Sequence, residues 1–485
     1  MKISVISPNL SGCCSILDIG VTCIATFINE RTRHKANVLD YTFRQKEWRQ
    51  YLQKKLNEFQ PDVIGITTTS LFMRYVRETV DEIRKNYSKE IPIVLGGYHT
   101  TLKPDDAINE KGVNAVIMGE GEYILADYLD SLEEKKPLEG VTGLWYKKDG
   151  EIFRNPNRAW IEDIDSLPIP NYDLWEDIDK YFYFVGQLWL MGTRGCPFSC
   201  TNCSEGPMSR ALPGKRFRLR NPKGYVEEIK HQWLKYKNRG FRMAHPFDAV
   251  FTANKEWVRE FCEEYKKQGL AEELPFSVFT HGATSQEDKI KMLAEAGCRE
   301  VRIGVESGNE RIRNEIYEKH ATNKQIREAF SNFKKYNMGV IAYNMLGGPT
   351  ETKETLWETY YFNKELDPNK TIFFIFRPLP GTDIISMVKD LGEEIDAKAM
   401  AHDIDTLHWG AVLTSKNRSE RYVEYFQLRC FLYFVTRRCW RLIKKQKLRF
   451  FINLLKYMYT GYKYKLDMKI VFAYFLASCG ENLYL

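Results

Sequence analysis

The sequence predicts an α/β protein with a doubly wound parallel sheet at the N-terminus, a partial (β/α)6 TIM-type barrel after it, and a mostly helical C-terminal region. Three observations support this prediction. Short β-branched runs alternate with helical stretches from the first residues onward. A second alternating series begins near residue 187, and this alternation is lost after about residue 385. A chain of 485 residues also exceeds what one hydrophobic core usually organises.

Five apolar runs, which begin at Lys2, Ala36, Asp62, Ile91 and Asn114, predict the strands of the first sheet. Ligands of doubly wound sheets bind beyond the carboxyl ends of the strands. We therefore expect a ligand at the loops that follow these runs, and we place a Rossmann-like domain at 1–135 and a linker at 136–185. The loops are 8–12, 67–70, 96–99 and 119–122, and their candidate residues are Asn9, Leu10, Thr68, Ser70, Gly96, Gly97, His99, Gly119 and Glu120.

The second alternating series predicts a barrel domain over residues 186–385. Helices are expected between its strands, for example over 254–268 and 324–336. The chemistry of such barrels takes place at the carboxyl ends of the strands. The six predicted strands lie near 187–195, 241–248, 275–281, 300–306, 339–346 and 371–377.

Composition excludes several classes of protein. A net charge of +7 and a pI near 8.6 fall short of the basic excess of a dedicated nucleic-acid binder. Eleven scattered cysteines do not resemble the disulfide framework of a small secreted domain, which indicates a reducing, cytoplasmic compartment. The N-terminus does not resemble a signal peptide. The longest apolar stretch, Ile470 to Cys479, is half of the roughly 20 residues that a membrane span needs.

The C-terminal region, residues 386–485, combines aromatic and basic residues from about residue 420 onward. This composition predicts one or two amphipathic helices. Two alternatives fit it: a helical cap that packs on the barrel with its lysines and arginines in solvent, or a face that lies on an anionic membrane. The second alternative predicts a peripheral membrane contact.

Three cysteines, Cys196, Cys200 and Cys203, lie within eight residues directly after the first strand of the barrel. Cysteine thiolates are the usual protein ligands of iron-sulfur clusters. Three ligands rather than four would leave one iron of a [4Fe-4S] cluster open to a substrate or cofactor. The alternative is half of a structural zinc site, which requires four ligands, but the candidates His231 and Cys262 are remote in sequence.

The spacing Cys-x3-Cys-x2-Cys at the end of a first barrel strand resembles the radical S-adenosylmethionine (SAM) superfamily. That resemblance implies that the open iron chelates SAM and that an electron from the cluster cleaves SAM to methionine and a 5′-deoxyadenosyl radical. A low-potential donor of the flavodoxin or ferredoxin type is then the expected partner. The family usually has an aromatic residue where this chain has Asn202, and Phe198 would take its place beside the adenine.

Further motifs of the barrel resemble the same superfamily in order and spacing. In Gly304–Gly308, Glu306 and Ser307 are candidates for binding the ribose or ammonium group of SAM. The alternative is a glutamate that ends a strand and a serine that caps the next helix. The other matching positions are Gly347–Thr352, similar to a Gly-x-Pro-Gly-Glu-Thr turn, Arg377–Thr382, similar to Pro-x-Pro-Gly-Thr, and Asp248, the first acid of an Asp-Asp-x-Phe pattern.

The front domain, followed by Leu167–Asp173 and the barrel, resembles the cobalamin-binding class of this superfamily. The resemblance implies that the Gly-rich loops 96–99 and 119–122 lie against the cofactor. The loop 8–12 lacks the Asp-x-His-x-x-Gly motif, so it offers no lower axial histidine. For His99, a structural role at a strand end is the alternative to a ligand role. A Rossmann domain that retains the shape without the cofactor is the alternative to cobalamin binding.

The cobalamin class implies a methyltransferase that acts on an unactivated carbon or phosphorus centre. One SAM would methylate cobalamin, a second would generate the radical, and the substrate radical would take the methyl group from methylcobalamin. The same layout also serves radical rearrangement, cyclisation, C–C coupling and oxidation. A non-catalytic iron-sulfur or corrinoid-binding protein is a further alternative. The sequence indicates a small-molecule or lipid-like substrate but does not identify it.

Overall fold

The structure is a computed structural model that describes residues 1–11, 17–396, 410–446 and 448–463. The chain divides into two compact units. The first comprises Met1–Ile178 with the short segments Pro207–Arg218 and Leu379–Gly381, and the second comprises Asp179–Gly206, Leu219–Pro378 and Thr382–Leu485.

The first unit is built on one sheet. Its elements are β1 (Lys2–Ser7), α1 (Ile19–Arg31), β2 (Lys35–Asp40), α2 (Trp48–Phe59), β3 (Val63–Thr68), α3 (Met73–Asn86), β4 (Ile93–Gly97), α4 (Tyr98–Leu102), α5 (Pro104–Asn109), β5 (Ala115–Ile117), α6 (Gly121–Glu133), β6 (Leu144–Lys148) and β7 (Glu151–Arg154). The strand order is β2-β1-β3-β4-β5-β6-β7, and the first five strands are parallel. This order confirms the predicted doubly wound sheet and leaves a crevice beyond the carboxyl ends of β1 and β3.

Helical periodicity explains how the sheet is covered. Met73, Val76, Val80 and Ile83 recur along one face of α3 and are buried. They pack in one core with apolar residues of the neighbouring strands, including Ile64. A strand core of β-branched residues under amphipathic helices is the arrangement that the alternating sequence predicts.

A hairpin lies within residues 136–185, where we placed the linker. Strands β6 and β7 pair antiparallel and extend the first sheet. Asp149 and Gly150 form the turn between them, with φ angles of +52° and +84°. Asp-Gly between two short strands is a strong hairpin signal, and the sequence analysis missed it because no helix follows either strand.

The second unit is built on six parallel strands in the order β15-β14-β13-β12-β11-β8. Its elements, with those shared at the boundary, are α7 (Ile178–Phe184), β8 (Gln187–Leu190), β9 (Thr193–Arg194), α8 (Glu205–Ala211), β10 (Arg218–Leu219), α9 (Pro222–Tyr236), β11 (Met243–Pro246), α10 (Lys255–Lys267), α11 (Leu270–Glu273), β12 (Phe276–Thr280), α12 (Glu287–Glu295), β13 (Cys298–Glu306), α13 (Asn323–Lys335), β14 (Gly339–Leu346), α14 (Lys353–Leu366), β15 (Lys370–Ile375), α15 (Ile384–Asp390), β16 (Glu394–Ile395), β17 (Leu413–Thr414), α16 (Glu420–Gln446) and α17 (Leu448–Lys463). All five pairings of the six-stranded sheet are parallel, which confirms the predicted open, partial barrel.

Two long helices, α16 and α17, occupy most of the described part of the C-terminal region. Phe426 and Phe434 of α16 are buried in one core with Phe373 of β15. Among the described helices, we find none that is both long enough and apolar enough to cross a membrane. The apolar stretch Ile470 to Cys479 lies outside the described residues.

Candidate active site

The three cysteines lie on one loop that follows β9. All three are free thiols and partly buried. Gly195 begins the loop with a φ of +86°, a conformation that favours glycine. The amide of Cys203 donates a hydrogen bond to the carbonyl of Cys200 at 3.1 Å. A tight turn therefore brings the second and third cysteines next to each other.

Thr201 fixes the middle of this loop to the barrel unit. Its hydroxyl donates a hydrogen bond to the carbonyl of Ile316 at 2.5 Å, and its amide donates one to the carbonyl of Tyr317 at 3.2 Å. Its carbonyl accepts a hydrogen bond from the amide of Ile384 at 3.0 Å. These three bonds hold the cysteine loop in place through contacts of the protein itself.

The three thiols do not belong to a compact group of ligand atoms, because their sulfur atoms do not all lie within 4.8 Å of one another. Within the described ranges, the only group that meets this limit is His34, Asp130 and Glu133. The amino group of Met1 forms an ion pair with Glu133 at 2.9 Å, so this group belongs to the contacts that hold the N-terminus.

Burial disfavours the ionised form of the three thiols. It raises the pKa of Cys196 to about 12 and the pKa of Cys203 to about 11. Burial raises the pKa of Cys200 as well, although the positive charge of Lys319 opposes this shift. Because the thiolate is the form that binds metal, metal binding at this loop would release protons from the thiols.

Glu306 and Lys319 form an ion pair at the carboxyl end of β13. Lys319 Nζ lies 2.7 Å from Glu306 Oε1, and the two side chains are only 14% and 15% exposed. Burial works against the charge of Lys319, but the negative charge of Glu306 offsets burial and raises the pKa of Lys319. The lysine therefore remains protonated beside the cysteine loop. The sequence analysis named Glu306 and missed Lys319.

The backbone around this pair is unusual for the residues that it carries. Glu306 has a φ of +62°, and the residues on either side of Lys319, Glu318 and His320, have φ angles of +47° and +52°. A Cβ added to Gly304 would lie 2.1 Å from Glu306 Oε1 and 2.6 Å from Lys319 Nζ. Left-handed conformations of non-glycine residues cluster at functional sites. The missing side chain at position 304 makes room for the ion pair.

Ser307 lies on the protein side of the same turn. It is fully buried. Its hydroxyl lies 3.2 Å from the hydroxyl of Thr359 and accepts a hydrogen bond from the amide of Asn309 at 3.2 Å. Ser307 thus supports the turn after β13, while Glu306 offers a carboxylate at the strand end.

Phe198 lies between the first two cysteines and stacks on His281. The ring centroids are 4.2 Å apart, with an interplanar angle of 16°. Burial, followed by the nearby charge of Lys319, lowers the pKa of His281 to about 3, so the imidazole is neutral. The amide group of Asn202, where the family has an aromatic residue, lies 3.6 Å from the sulfur of Met345. The aromatic surface beside the cysteine loop therefore comes from Phe198 and His281.

The turn Gly347–Thr352 is held from both sides. Glu351 Oε2 accepts hydrogen bonds from the amides of Gly347 and Gly348 at 2.6 and 2.9 Å. Arg418, which precedes α16, donates to the carbonyls of the same two glycines, with a distance of 2.8 Å to Gly348. Glu351 and Arg418 are both buried, at 0% and 4% exposure. This motif serves backbone geometry, and Arg418 is a contribution that the sequence analysis did not foresee.

Asp248 fixes the segment that leads into the cysteine loop. Its side chain is fully buried and accepts a hydrogen bond from the amide of Thr193 in β9. Burial raises the pKa of Asp248 from 3.8 to about 7, although its hydrogen bonds to Thr193 oppose the shift. The folded protein therefore holds a proton on Asp248 that the unfolded chain has already released between about pH 4 and pH 7.

This proton predicts how stability changes with pH. Because the folded pKa is the higher one, Asp248 costs stability as the pH rises through that window. Asparagine keeps an acceptor for Thr193 and does not ionise. We expect Asp248→Asn to raise the melting temperature more at pH 8 than at pH 5, measured by thermal unfolding. Exposed Asp81→Asn serves as the control, and an equal effect of Asp248→Asn at both pH values would contradict the prediction.

The loops at the end of β3 and β4 form the open part of the first unit. Gly97 has a φ of +115°, and a Cβ there would lie 2.6 Å from the carbonyl oxygen of Thr68. The hydroxyl of Thr68 donates a hydrogen bond to the carbonyl of Gly96 at 2.9 Å. A Cβ at Gly96 itself would meet no atom within 4 Å. The two glycines thus combine a close approach of two strand ends with open space in front of them.

Neighbouring predicted residues are held by local hydrogen bonds. Asn9 is buried and donates a hydrogen bond to Thr42 at 2.9 Å. Ser70 lies 2.9 Å from Nδ1 of His99, and burial lowers the pKa of His99. The carbonyl of Leu10 accepts a hydrogen bond from the side chain of Gln45, which follows β2. The contact with Ser70 favours the structural role for His99. Gly12, the last residue of the first loop, lies outside the described residues.

The loop after β5 is closed by an ion pair. Glu120 pairs through both carboxylate oxygens with Arg218, at 2.8 Å each, and accepts a hydrogen bond from the amide of Ile161 at 2.7 Å. A Cβ at Gly119 would lie 2.3 Å from Leu212. The carboxylate of Glu120 is therefore already bound to other residues of the protein. Gly119 lies against Leu212, which belongs to an apolar core, rather than beside open space.

Two family models match the chain. The model described as the radical SAM superfamily matches residues 190–362. The model described as the B12 binding domain matches residues 15–129. The first range contains the cysteine loop and the Glu306–Lys319 pair, and the second contains the loops after β3, β4 and β5.

Known proteins resemble the chain over most of its length. An uncharacterised methyltransferase of Pyrococcus horikoshii is 32% identical over 366 residues, which cover 75% of this chain and 76% of that protein. The anaerobic magnesium-protoporphyrin IX monomethyl ester cyclase of Rubrivivax gelatinosus is 26% identical, over 71% of this chain and 61% of that protein.

Solved structures share the fold. The radical SAM methyltransferase TsrM of Kitasatospora setae, with cobalamin and a [4Fe-4S] cluster bound, superposes with a TM-score of 0.68 at 20% identity, over 82% of this chain and 77% of that chain. The cobalamin-dependent radical SAM enzyme OxsB gives a TM-score of 0.71 at 16% identity, over 95% of this chain and 71% of that chain.

Proposed function

Because the chain belongs to the radical SAM superfamily, in the class with a B12-binding domain ahead of the radical SAM domain, we propose that it transfers a methyl group to an unactivated carbon or phosphorus centre. Its cofactors are a [4Fe-4S] cluster, SAM and cobalamin. The observation that carries the proposal is the 32% identity to a methyltransferase over three quarters of both chains. When bound, the cluster and SAM supply a 5′-deoxyadenosyl radical, and cobalamin supplies a methyl carrier.

We assign the ligands of the cluster to Cys196, Cys200 and Cys203. The Thr201 contacts hold their loop, and cysteine thiolates are the usual protein ligands of such clusters. Glu306 would accept hydrogen bonds from the ammonium or ribose of SAM, and Lys319 balances its charge. The stacked rings of Phe198 and His281 give the adenine an aromatic surface to lie against.

In the first unit, we assign the cobalamin contacts to the open side of the loops after β1, β3 and β4. Gly96 supports this assignment because a side chain would enter open space there. Gly97 lets the backbone of β4 approach Thr68 closely, because it has no side chain that would collide with the Thr68 carbonyl. Gly119 and Glu120 shape the site by supporting its loop, since Gly119 lies against Leu212 and Glu120 pairs with Arg218.

The proposal is tested with protein reconstituted anaerobically with iron, sulfide and hydroxocobalamin, then given SAM and a low-potential reductant. We expect retained cobalamin, 5′-deoxyadenosine and S-adenosylhomocysteine, measured by absorbance and mass spectrometry. Gly96→Leu should fill the open space and lower retained cobalamin and S-adenosylhomocysteine several-fold, while 5′-deoxyadenosine formation persists. Gly96→Ala is the matched control and should retain cobalamin.

A second candidate function is radical cyclisation or oxidation without methyl transfer, which the similarity to the cyclase favours. Deoxyadenosine without S-adenosylhomocysteine, at full cobalamin occupancy, would support it and contradict the methyltransferase. The physiological reductant would be a flavodoxin or ferredoxin. We place the enzyme in a reducing, cytoplasmic compartment, a proposal supported by the eight cysteines of the described segments, which are all free thiols.

A further inference from the structure

Helices α16 and α17 carry most of the exposed hydrophobic surface of the described chain. Of the seventeen large hydrophobic side chains that are exposed in the described ranges, eleven lie on these two helices. They are Tyr425, Leu428, Phe431, Leu432, Trp440, Phe451, Ile452, Leu455, Met458, Tyr459 and Tyr462. A concentration of this kind on one short segment marks an interaction surface.

The exposed residues of α17 form a continuous stripe. Phe451, Leu455, Met458 and Tyr462 follow the helical repeat, and with Ile452 and Tyr459 they cover an arc of about 120° of the helix surface. We call these six residues the apolar stripe.

The other side of α17 is packed against its own unit. The ring of Tyr457 lies 5.8 Å from that of Tyr183, and its hydroxyl donates a hydrogen bond to the carbonyl of Phe184 at 3.2 Å. Phe450 is buried on the same side. The helix is therefore held by one face while it presents the apolar stripe on another.

Charge identifies the occupant of the stripe. Between Glu424 and Asp467 the sequence contains eleven lysines and arginines and no aspartate or glutamate. One of these residues, Lys456, is exposed on α17 directly after Leu455 and forms the basic edge of the stripe. An apolar helix face that includes two tyrosines and is bordered by positive charge matches the boundary between acyl chains and anionic headgroups.

We propose that α16 and α17 dock this enzyme on an anionic lipid surface, with the apolar stripe in the acyl boundary and the basic edge at the headgroups. A second copy of the chain would bring like charges together along the same edge. A nucleic acid would leave Leu455 and Met458 without an apolar partner. The inference does not depend on methyl transfer, because it concerns where the enzyme lies and not what it catalyses.

Co-sedimentation with lipid vesicles tests the proposal. Vesicles of phosphatidylcholine alone are compared with vesicles in which about a quarter of the lipid is phosphatidylserine. We expect the reconstituted full-length enzyme to bind the anionic vesicles and to be released by salt. Leu455→Glu and Tyr459→Glu should each weaken that binding about tenfold or more. Lys456→Glu should weaken binding to the anionic vesicles more than to the neutral ones.

Leu234→Glu on α9 is the matched control, since Leu234 is 55% exposed and Leu455 is 66% exposed. It should leave vesicle binding unchanged, and all variants should form 5′-deoxyadenosine at the wild-type rate. Wild-type protein that ignores anionic vesicles would overturn the proposal whatever its enzymatic activity. A Leu455→Glu variant that turns a lipid-free dimer into a monomer, measured by light scattering, would assign the stripe to a second copy instead.

Discussion

Replacing Cys200 with alanine is expected to abolish 5′-deoxyadenosine formation. The loop offers three thiols for a cluster that already has one open iron, so the loss of one ligand leaves two irons without protein ligands. Cys200 is the central one of the three and lies in the turn fixed by Thr201. Iron content and the absorbance of the reconstituted cluster should fall together with the activity.

Cys439→Ala is the matched control because Cys439 in α16 is also a partly buried free thiol. It should retain both iron and activity. Cobalamin retention should be unchanged in the Cys200→Ala variant, because the loops of the first unit do not contain the mutated residue. A Cys200→Ala protein that still cleaves SAM with a complete cluster would remove Cys200 from the ligand set.

Lys319→Met is expected to weaken SAM binding and lower the rate of SAM cleavage by about a hundredfold, since it leaves the carboxylate of Glu306 buried without its cation. The free energy of unfolding should fall by about 3 kcal/mol. By contrast, Lys324→Met removes an ion pair whose members are 84% and 60% exposed, and such exposed pairs contribute only about 0.5 kcal/mol. Equilibrium binding of SAM and thermal unfolding measure the two effects separately.

A double variant distinguishes the two roles of the lysine. In Lys319→Met with Glu306→Gln, the buried carboxylate is gone, so the melting temperature should recover. If Lys319 acts only by balancing Glu306, SAM binding should recover in part as well; if it contacts the ligand, SAM binding should stay weak. A Lys319→Met protein with wild-type SAM affinity would exclude both roles.

The parts of the fold that the sequence predicts are those encoded locally. Strand runs such as Lys2–Ser7 and Gly339–Leu346 are rich in apolar and β-branched residues, and glycine or polar residues mark their ends. Their positions can therefore be predicted from the residues next to them in sequence. The cysteine triplet is local too, since its three residues lie within a single loop. The ligand assignment of these cysteines stays a prediction that the Cys200→Ala experiment tests.

The parts that the sequence does not predict depend on contacts between distant residues. Lys319 reaches Glu306 after 13 residues of chain that include a π-helical turn at Ile312–Ile316. Glu120 looked available for a ligand because its partner, Arg218, is 98 residues away in sequence. Charge pairs of this kind leave no periodic signal in either segment, so local patterns could not reveal them.

Arg418 has a practical consequence for anyone who shortens this protein. Its guanidinium holds the two glycine carbonyls after β14, yet it lies beyond residue 385, where the sequence suggests that the barrel ends. A fragment cut at that apparent boundary would lose the arginine and leave Glu351 buried without its counter-charge. A fragment that keeps this contact must therefore extend past residue 418.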